Sequence, residues 1–197
     1  PEYLSNLNKL ILKQINPSKL AADSTGLKTS RRLPAWSVKK GDRDFYRKVC
    51  KVPDSAPIFE ALKEYRKLGI HIEVTNLLIP EHNDSEKDIK ELSEWVKSNL
   101  GADTPLHFSR FRPKFRMKHV PPTDIETLEN ALRIAKDCGM EWVYIGNIPG
   151  HVNENTICPE CGEVLIKRDL QGVKVLATKC RCGKSVPIKG KKWSPLI

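Results

Sequence analysis

No stretch of this 197-residue sequence stays apolar long enough to span a bilayer, which argues against a membrane-crossing helix. Three catalytic signatures are also missing. There is no glycine loop closed by Lys and Ser or Thr to cradle phosphates, no H-E-x-x-H helix for a zinc hydrolase, and no G-x-S-x-G elbow for a serine nucleophile. No secretory signal peptide is visible, so the expectation is a soluble, cytoplasmic protein with reduced thiols. Hydrophobic residues make up 39% of the chain, somewhat below the usual globular share. The length suits one domain with a small appendage.

What is present is concentrated near the C-terminus. Cys158 and Cys161 stand in CPEC, and Cys180 and Cys182 in CRC. Two thiolate pairs on separate turns can close a tetrahedron around one soft ion, with zinc–sulfur bonds of about 2.3 Å. Gly162 and Gly183 follow the pairs, where a tight turn favours a residue without a β-carbon. Between them, Val164 to Thr178 mixes aliphatic and charged residues as a short hairpin does. The pattern reads as a zinc ribbon whose second pair is one residue shorter than C-x-x-C. Disulfides, bound iron and a metal-free ribbon are competing readings. Cys50 and Cys138 lie apart in apolar helical surroundings and read as small buried side chains.

Upstream, 1–40 reads as a divergent segment. It holds a helix to Ile15 with Leu4, Leu7, Leu10 and Ile11 on one stripe, then a loop. From 41 to 152 the pattern is regular. A helix opening near Ser55 and Pro57 ends at Gly69, and an apolar strand runs from Ile70 to Ile79. A second helix is capped by Ser85 and carries Ile89, Leu92, Trp95 and Val96 inward. A strand from Pro105 to Phe111 follows, then a helix opened by a Thr123–Glu126 capping box, then a strand from Trp142 to Ile145. Alternating helices and strands call for a parallel sheet in an α/β fold, either part of a (β/α) barrel or an open doubly wound sheet. The ribbon occupies 153–197.

Ligands of parallel α/β folds gather at the carboxyl ends of the strands. That rule selects Glu81–Asp84, Ser109–Arg112 and Gly146–His151. In the last segment two glycines let backbone approach a ligand, Asn147 can donate and accept, and His151 can titrate near neutrality. Thr75 and Asn76 are polar groups inside an apolar strand, so they either face a ligand or bond to neighbouring strands. Arg110, Arg112, Lys114, Arg116 and Lys118 alternate with Phe111, Phe115 and Met117. If extended, that segment would point its cations one way and suit RNA; otherwise it is a solvated loop with its aromatics tucked inward. The net charge of +10 makes polyanion binding plausible without specifying it.

Four runs carry a family resemblance: EVTNLLIP from Glu73, FSRF from Phe108, YIGNIPGH from Tyr144 and ENTICPECG from Glu154. From Asp42 onward the chain resembles the C-terminal half of the AmmeMemoRadiSam system radical SAM enzymes, a group similar to the activases of pyruvate formate-lyase. The resemblance implies a partial (β/α) barrel and a [4Fe-4S] cluster on a C-x-x-x-C-x-x-C loop. It further implies reductive cleavage of S-adenosylmethionine, hydrogen abstraction by the resulting radical, and AMMECR1-like and Memo-like partners. Carried over residue by residue, it assigns contacts to S-adenosylmethionine to Lys39, Thr75, Asn76, Ser109 and Arg110.

The sequence departs from that family in named places. It contains no C-x-x-x-C-x-x-C, and Ser37-Val38-Lys39 stands where the family has Asp-Leu-Lys. Arg112 replaces the family's His or Tyr. The expectation is therefore a portion that is inactive alone, with the cluster-bearing half barrel upstream of Pro1. An incomplete sheet would also expose apolar edge surface and favour that missing half or a second copy as partner. The alternative expectation is a non-catalytic zinc-ribbon protein that binds a partner protein or RNA.

Overall fold

The computed structural model describes residues 56–188, and the expected 1–15 helix and 16–40 loop, Lys39 and Cys50 lie outside them. The chain alternates as the periodicity demands: α1 (Ala56–Lys67), β1 (Val74–Leu78), α2 (Glu86–Leu100), β2 (Leu106–Arg110), α3 (Ile125–Asp137) and β3 (Val143–Gly146). The strands form one parallel sheet in the order β1-β2-β3. The register sets Val74 beside Leu106 and Leu106 beside Val143, with Asn76, Phe108 and Ile145 forming the next row. A second, antiparallel sheet follows, from β4 (Thr156–Ile157), β5 (Val164–Asp169) and β6 (Gly172–Val175). Among the described residues no helix is long and apolar enough to cross a membrane.

One face of the parallel sheet packs on the helices. Val74, Leu78, Leu106, Phe108, Val143 and Ile145 are buried there against Ile89, Leu92 and Val96 of α2 and Leu128, Leu132 and Ala135 of α3. The apolar stripes at helical spacing thus find the sheet face they require. Ser85 caps α2, its hydroxyl accepting from the Asp88 N–H at 3.2 Å.

Two expectations are corrected. Thr123 does not open a capping box: the N-cap of α3 is Asp124, which makes no side-chain cap bond. The Thr123 hydroxyl instead donates to the Leu78 carbonyl at 2.6 Å and accepts the Phe111 N–H at 3.0 Å. Fully buried, it ties the ends of β1 and β2 together, which the capping geometry would forbid. Of the two readings of the alternating cations the loop is the one observed, though its aromatics are not all tucked inward. Residues Phe115–Met117 make a single 3-10 turn, and Phe115 itself has a φ of 50°. The loop reading holds for Phe111, which is buried; Phe115 is 79% exposed, and tucking the aromatics inward fails there.

Candidate functional site

The four terminal cysteines converge, with all their sulfurs within 4.8 Å of one another. Cys158 Sγ lies 3.5 Å from Cys182 Sγ, and Cys161 Sγ lies 3.3 Å from Cys180 Sγ. Those separations are far longer than a disulfide bond. They fall just short of the roughly 3.8 Å edge of a tetrahedron of sulfurs around one ion at 2.3 Å, and no pair of the four exceeds 4.8 Å. Each pair sits on a turn closed by backbone bonds. Gly162 donates to the Cys158 carbonyl at 3.0 Å, and Gly183 to that of Cys180 at 2.9 Å. Both glycines adopt the left-handed φ that such a turn requires, 76° and 97°.

The environments of the four sulfurs differ. Burial pushes the Cys158 thiol up, but the N–H groups of Cys161 and Glu160, with help from the Cys182 and Cys180 thiols, hold it down at about 7. At Cys180 the Cys182 N–H favours the thiolate, yet the Glu163 carboxylate, burial and neighbouring thiols drive it above the ordinary range. Glu163 Oε2 accepts from Cys180 Sγ at 3.1 Å. Cysteine spacing did not reveal Glu163; a carboxylate two residues past the first pair was the available signal.

This donor set fits one ion with a closed thiolate shell. It does not fit a [4Fe-4S] cluster with an open iron. Sulfurs this close converge on a single centre, whereas the irons of a cluster each take their own, more widely spaced ligand. Cys138 stands apart at the C-cap of α3. Among the described residues nothing else gathers thiolates for such a cluster.

The cysteine-bearing sheet packs on the second face of the parallel sheet. Trp142 and Tyr144 are buried with Cys158, Leu165 and Cys180, and Ala177 and Val186 pack around them. The Lys184 ammonium reaches Glu141 at 2.8 Å and Glu160 at 3.6 Å, which bridges the two sheets. Arg168 donates to Thr156 Oγ1 at 2.9 Å and to the Glu154 carbonyl at 3.0 Å, with its guanidinium 5.8 Å from the Tyr144 ring.

The rest of that second face is polar apart from Leu77, which packs toward Ile79 and Phe111. The register aligns Thr75, His107 and Tyr144 in one row, then Leu77, Ser109 and Gly146 in the next. Glu73 lies beside them. Its carboxylate takes a hydrogen bond at 3.1 Å from His71 Nε2. His107 Nε2 approaches it to 3.3 Å but lies off the line a ring N–H bond needs. Burial pushes the Glu73 carboxyl up, but the His107 and His71 imidazoles outweigh it and hold it down at about 2. The sequence reading missed this cluster. His71 and Glu73 alternate along the chain, but His107 joins them through the strand register alone.

The expected ligand residues separate into groups. Thr75 and Ser109 share the polar face, and a β-carbon on Gly146 would lie 3.1 Å from Ser109 Oγ. Asn76 lies in the row of Phe108 and Ile145, buried on the helix side, where its Oδ1 accepts from Asn83 Nδ2 at 3.0 Å. Asn83 also bonds to the Ile79 N–H at 2.7 Å and the Leu77 carbonyl at 3.0 Å. Arg110 Nε donates to the Thr123 carbonyl at 2.8 Å, while the Arg110 carbonyl accepts from Asn147 Nδ2 at 3.1 Å. Arg110 and Asn147 therefore lace the carboxyl edge of β2 and β3. His151 Nε2 sits 3.2 Å from Glu129, and its Nδ1 accepts the Asn153 N–H.

No protein-family model matches the sequence. A relative in Methanocaldococcus jannaschii, described as uncharacterized protein MJ0808, is 46% identical over 155 residues. The match covers 76% of this chain and 46% of that protein, so the chain spans about half the length of the curated relative it matches. A crystal structure of a domain of pyruvate-formate lyase-activating enzyme from Bacteroides vulgatus is similar at 19% sequence identity with a TM-score of 0.46. That likeness covers 54% of this chain and 62% of the other.

Proposed function

We infer that this chain is the C-terminal portion of a radical S-adenosylmethionine enzyme of the glycyl-radical-activase kind, a partial (β/α) barrel braced by a structural zinc ribbon. The observation that carries this reading is the polar face formed by Glu73, Thr75, His107 and Ser109. In an open doubly wound sheet that face would be apolar and covered by a second helix layer. A barrel turns it toward an interior that receives a ligand. The runs GNIPGH, ENT and CPECG in this sequence point the same way. Thr75 and Ser109 supply hydroxyls to the ligand on that face, and the edge residues Arg110, Asn147 and His151 shape its rim. Asn76 acts from behind the strand by holding Asn83.

The sequence has no C-x-x-x-C-x-x-C, so in this reading the radical chemistry rests on a cluster-bearing half that these residues do not supply. AMMECR1-like and Memo-like proteins follow as partners by the same resemblance. Zinc suits the closed thiolate shell, which leaves no position for substrate. None of the five described cysteines forms a disulfide, which fits a reducing compartment.

Calorimetric titration of the zinc-loaded chain with S-adenosylmethionine tests the reading. Saturable binding is expected, weakened about tenfold in a Thr75→Val, Ser109→Ala double variant through lost hydrogen bonds. Absence of any heat of binding, or an affinity unmoved by the double variant, defeats it.

A further inference from the structure

The loop between β2 and α3 holds a feature that the S-adenosylmethionine reading does not use. From Thr104 to Thr123 the chain contains no Asp or Glu, yet it carries Arg110, Arg112, Lys114, Arg116 and Lys118. Several lysines elsewhere are paired with carboxylates: Lys63 with Glu60, Lys67 with Glu64, and Lys184 with Glu141. Among the described residues Lys114, Arg116 and Lys118 have no carboxylate partner.

The loop is anchored at both ends. Phe111 and Val120 are buried with Ile79, and Ile58, Leu77 and Met117 pack against them. Backbone bonds run from Met117 to Lys114 at 3.0 Å and from Val120 to Met117 at 3.2 Å. Within this ordered turn three apolar side chains face inward and one does not. Phe115 is 79% exposed. Its φ of 50° is disfavoured for a residue with a β-carbon, and such backbone persists where surroundings impose it, often at ligand sites. The Arg116 guanidinium lies 5.4 Å from the Phe115 ring centroid.

We propose that this loop is a docking surface for single-stranded RNA, in which a base stacks on Phe115 and Arg116 while Lys114 and Lys118 take the flanking phosphates. An acidic protein surface would use the cations but would have no use for an exposed flat ring. Duplex RNA keeps its bases stacked and offers Phe115 none. The loop sits at the carboxyl edge of the parallel sheet, beside the rim formed by Asn147, whose carbonyl accepts from Arg112 at 3.2 Å. RNA held there borders the ligand face.

Fluorescence anisotropy with a labelled single-stranded RNA of mixed sequence tests this on the full chain. The Phe115→Asn variant tolerates the left-handed backbone, so the fold is retained; circular dichroism and zinc content check that. Its Kd is expected to rise about 5- to 100-fold, the usual cost of losing one base–aromatic stack. Phe115→Tyr restores binding. Lys114→Ala with Lys118→Ala flattens the slope of log K against log salt by about 1.4. An unchanged Kd in Phe115→Asn, or equal affinity for duplex RNA or a polyglutamate peptide, overturns the proposal. S-adenosylmethionine titration of Phe115→Asn is expected to match wild type, which separates failure here from failure of the enzymatic reading.

Discussion

The imidazole of His107 lies stacked on the ring of Tyr144, with centroids 4.6 Å apart and planes 15° from parallel. The stack joins two neighbourhoods. On one side, His107 flanks the Glu73 carboxylate at 3.3 Å. On the other, the Tyr144 hydroxyl donates to Thr156 Oγ1 at 3.3 Å, at the entry to the cysteine-bearing sheet. Burial raises the Tyr144 phenol above its ordinary range despite that bond and the nearby Arg168.

Glu73 sets an acid limit on stability. Its carboxyl titrates at about 2 in the fold against an ordinary 4.5, so its contribution is present in full above 4.5 and disappears as pH falls toward 2. Glu73→Gln is expected to have a lower urea midpoint than wild type at pH 6. The gap should narrow steadily as pH falls through that window. A gap independent of pH would show that the charge contributes nothing.

Metal content follows the sulfur geometry. Mass spectrometry of the purified chain is expected to find roughly one zinc per chain and no acid-labile sulfide. Cys161→Ser lowers zinc retention and melting temperature together, whereas Cys138→Ser, remote from the centre, leaves zinc retention intact. Chelation should redshift the emission of Trp142, which is buried beside Cys158 and Cys180.

Thr123 holds the carboxyl ends of β1 and β2 together. Thr123→Val strands the Leu78 carbonyl and the Phe111 N–H in a buried site and is expected to cost about 1–3 kcal/mol. Thr123→Ser keeps the hydroxyl and should lose less than half of that. Equilibrium urea denaturation separates the two.

Trp142 joins the sheets through packing. Trp142→Ala is expected to destabilise the protein by about 3–5 kcal/mol, the usual range for emptying a large buried aromatic site. Zinc should also exchange faster, because the turn at Cys180 loses its apolar support. Competition with a chromogenic chelator gives that rate.

Much of the fold was legible. Ile89, Leu92, Trp95 and Val96 recur at helical spacing and face the sheet. The strand expected from Ile70 to Ile79 shortens to Val74–Leu78, because ladder pairing stops where β2 runs out. The cysteine pairs and their glycines revealed the four-sulfur centre because a turn that aims two thiols has narrow backbone demands. Thr123 was illegible for the opposite reason. A threonine three residues before a glutamate satisfies a local rule, but partners at Leu78 and Phe111 come from tertiary structure. Asn83 fell in a segment selected only as a strand end, and its buried bonds to Asn76, Ile79 and Leu77 come from tertiary structure. Short strand β4 gave no signal, since two residues carry no period.

β3 gives Val143 and Ile145 to one core, while its Tyr144 and the preceding Trp142 go to the other. A slip by one position would swap the two sets, driving an indole into the helix layer and withdrawing it from beneath the thiolates. An ion held by the four cysteines would thus act as a pin for strand alignment: with the knuckles clamped, the central ladder would have a single permitted phase.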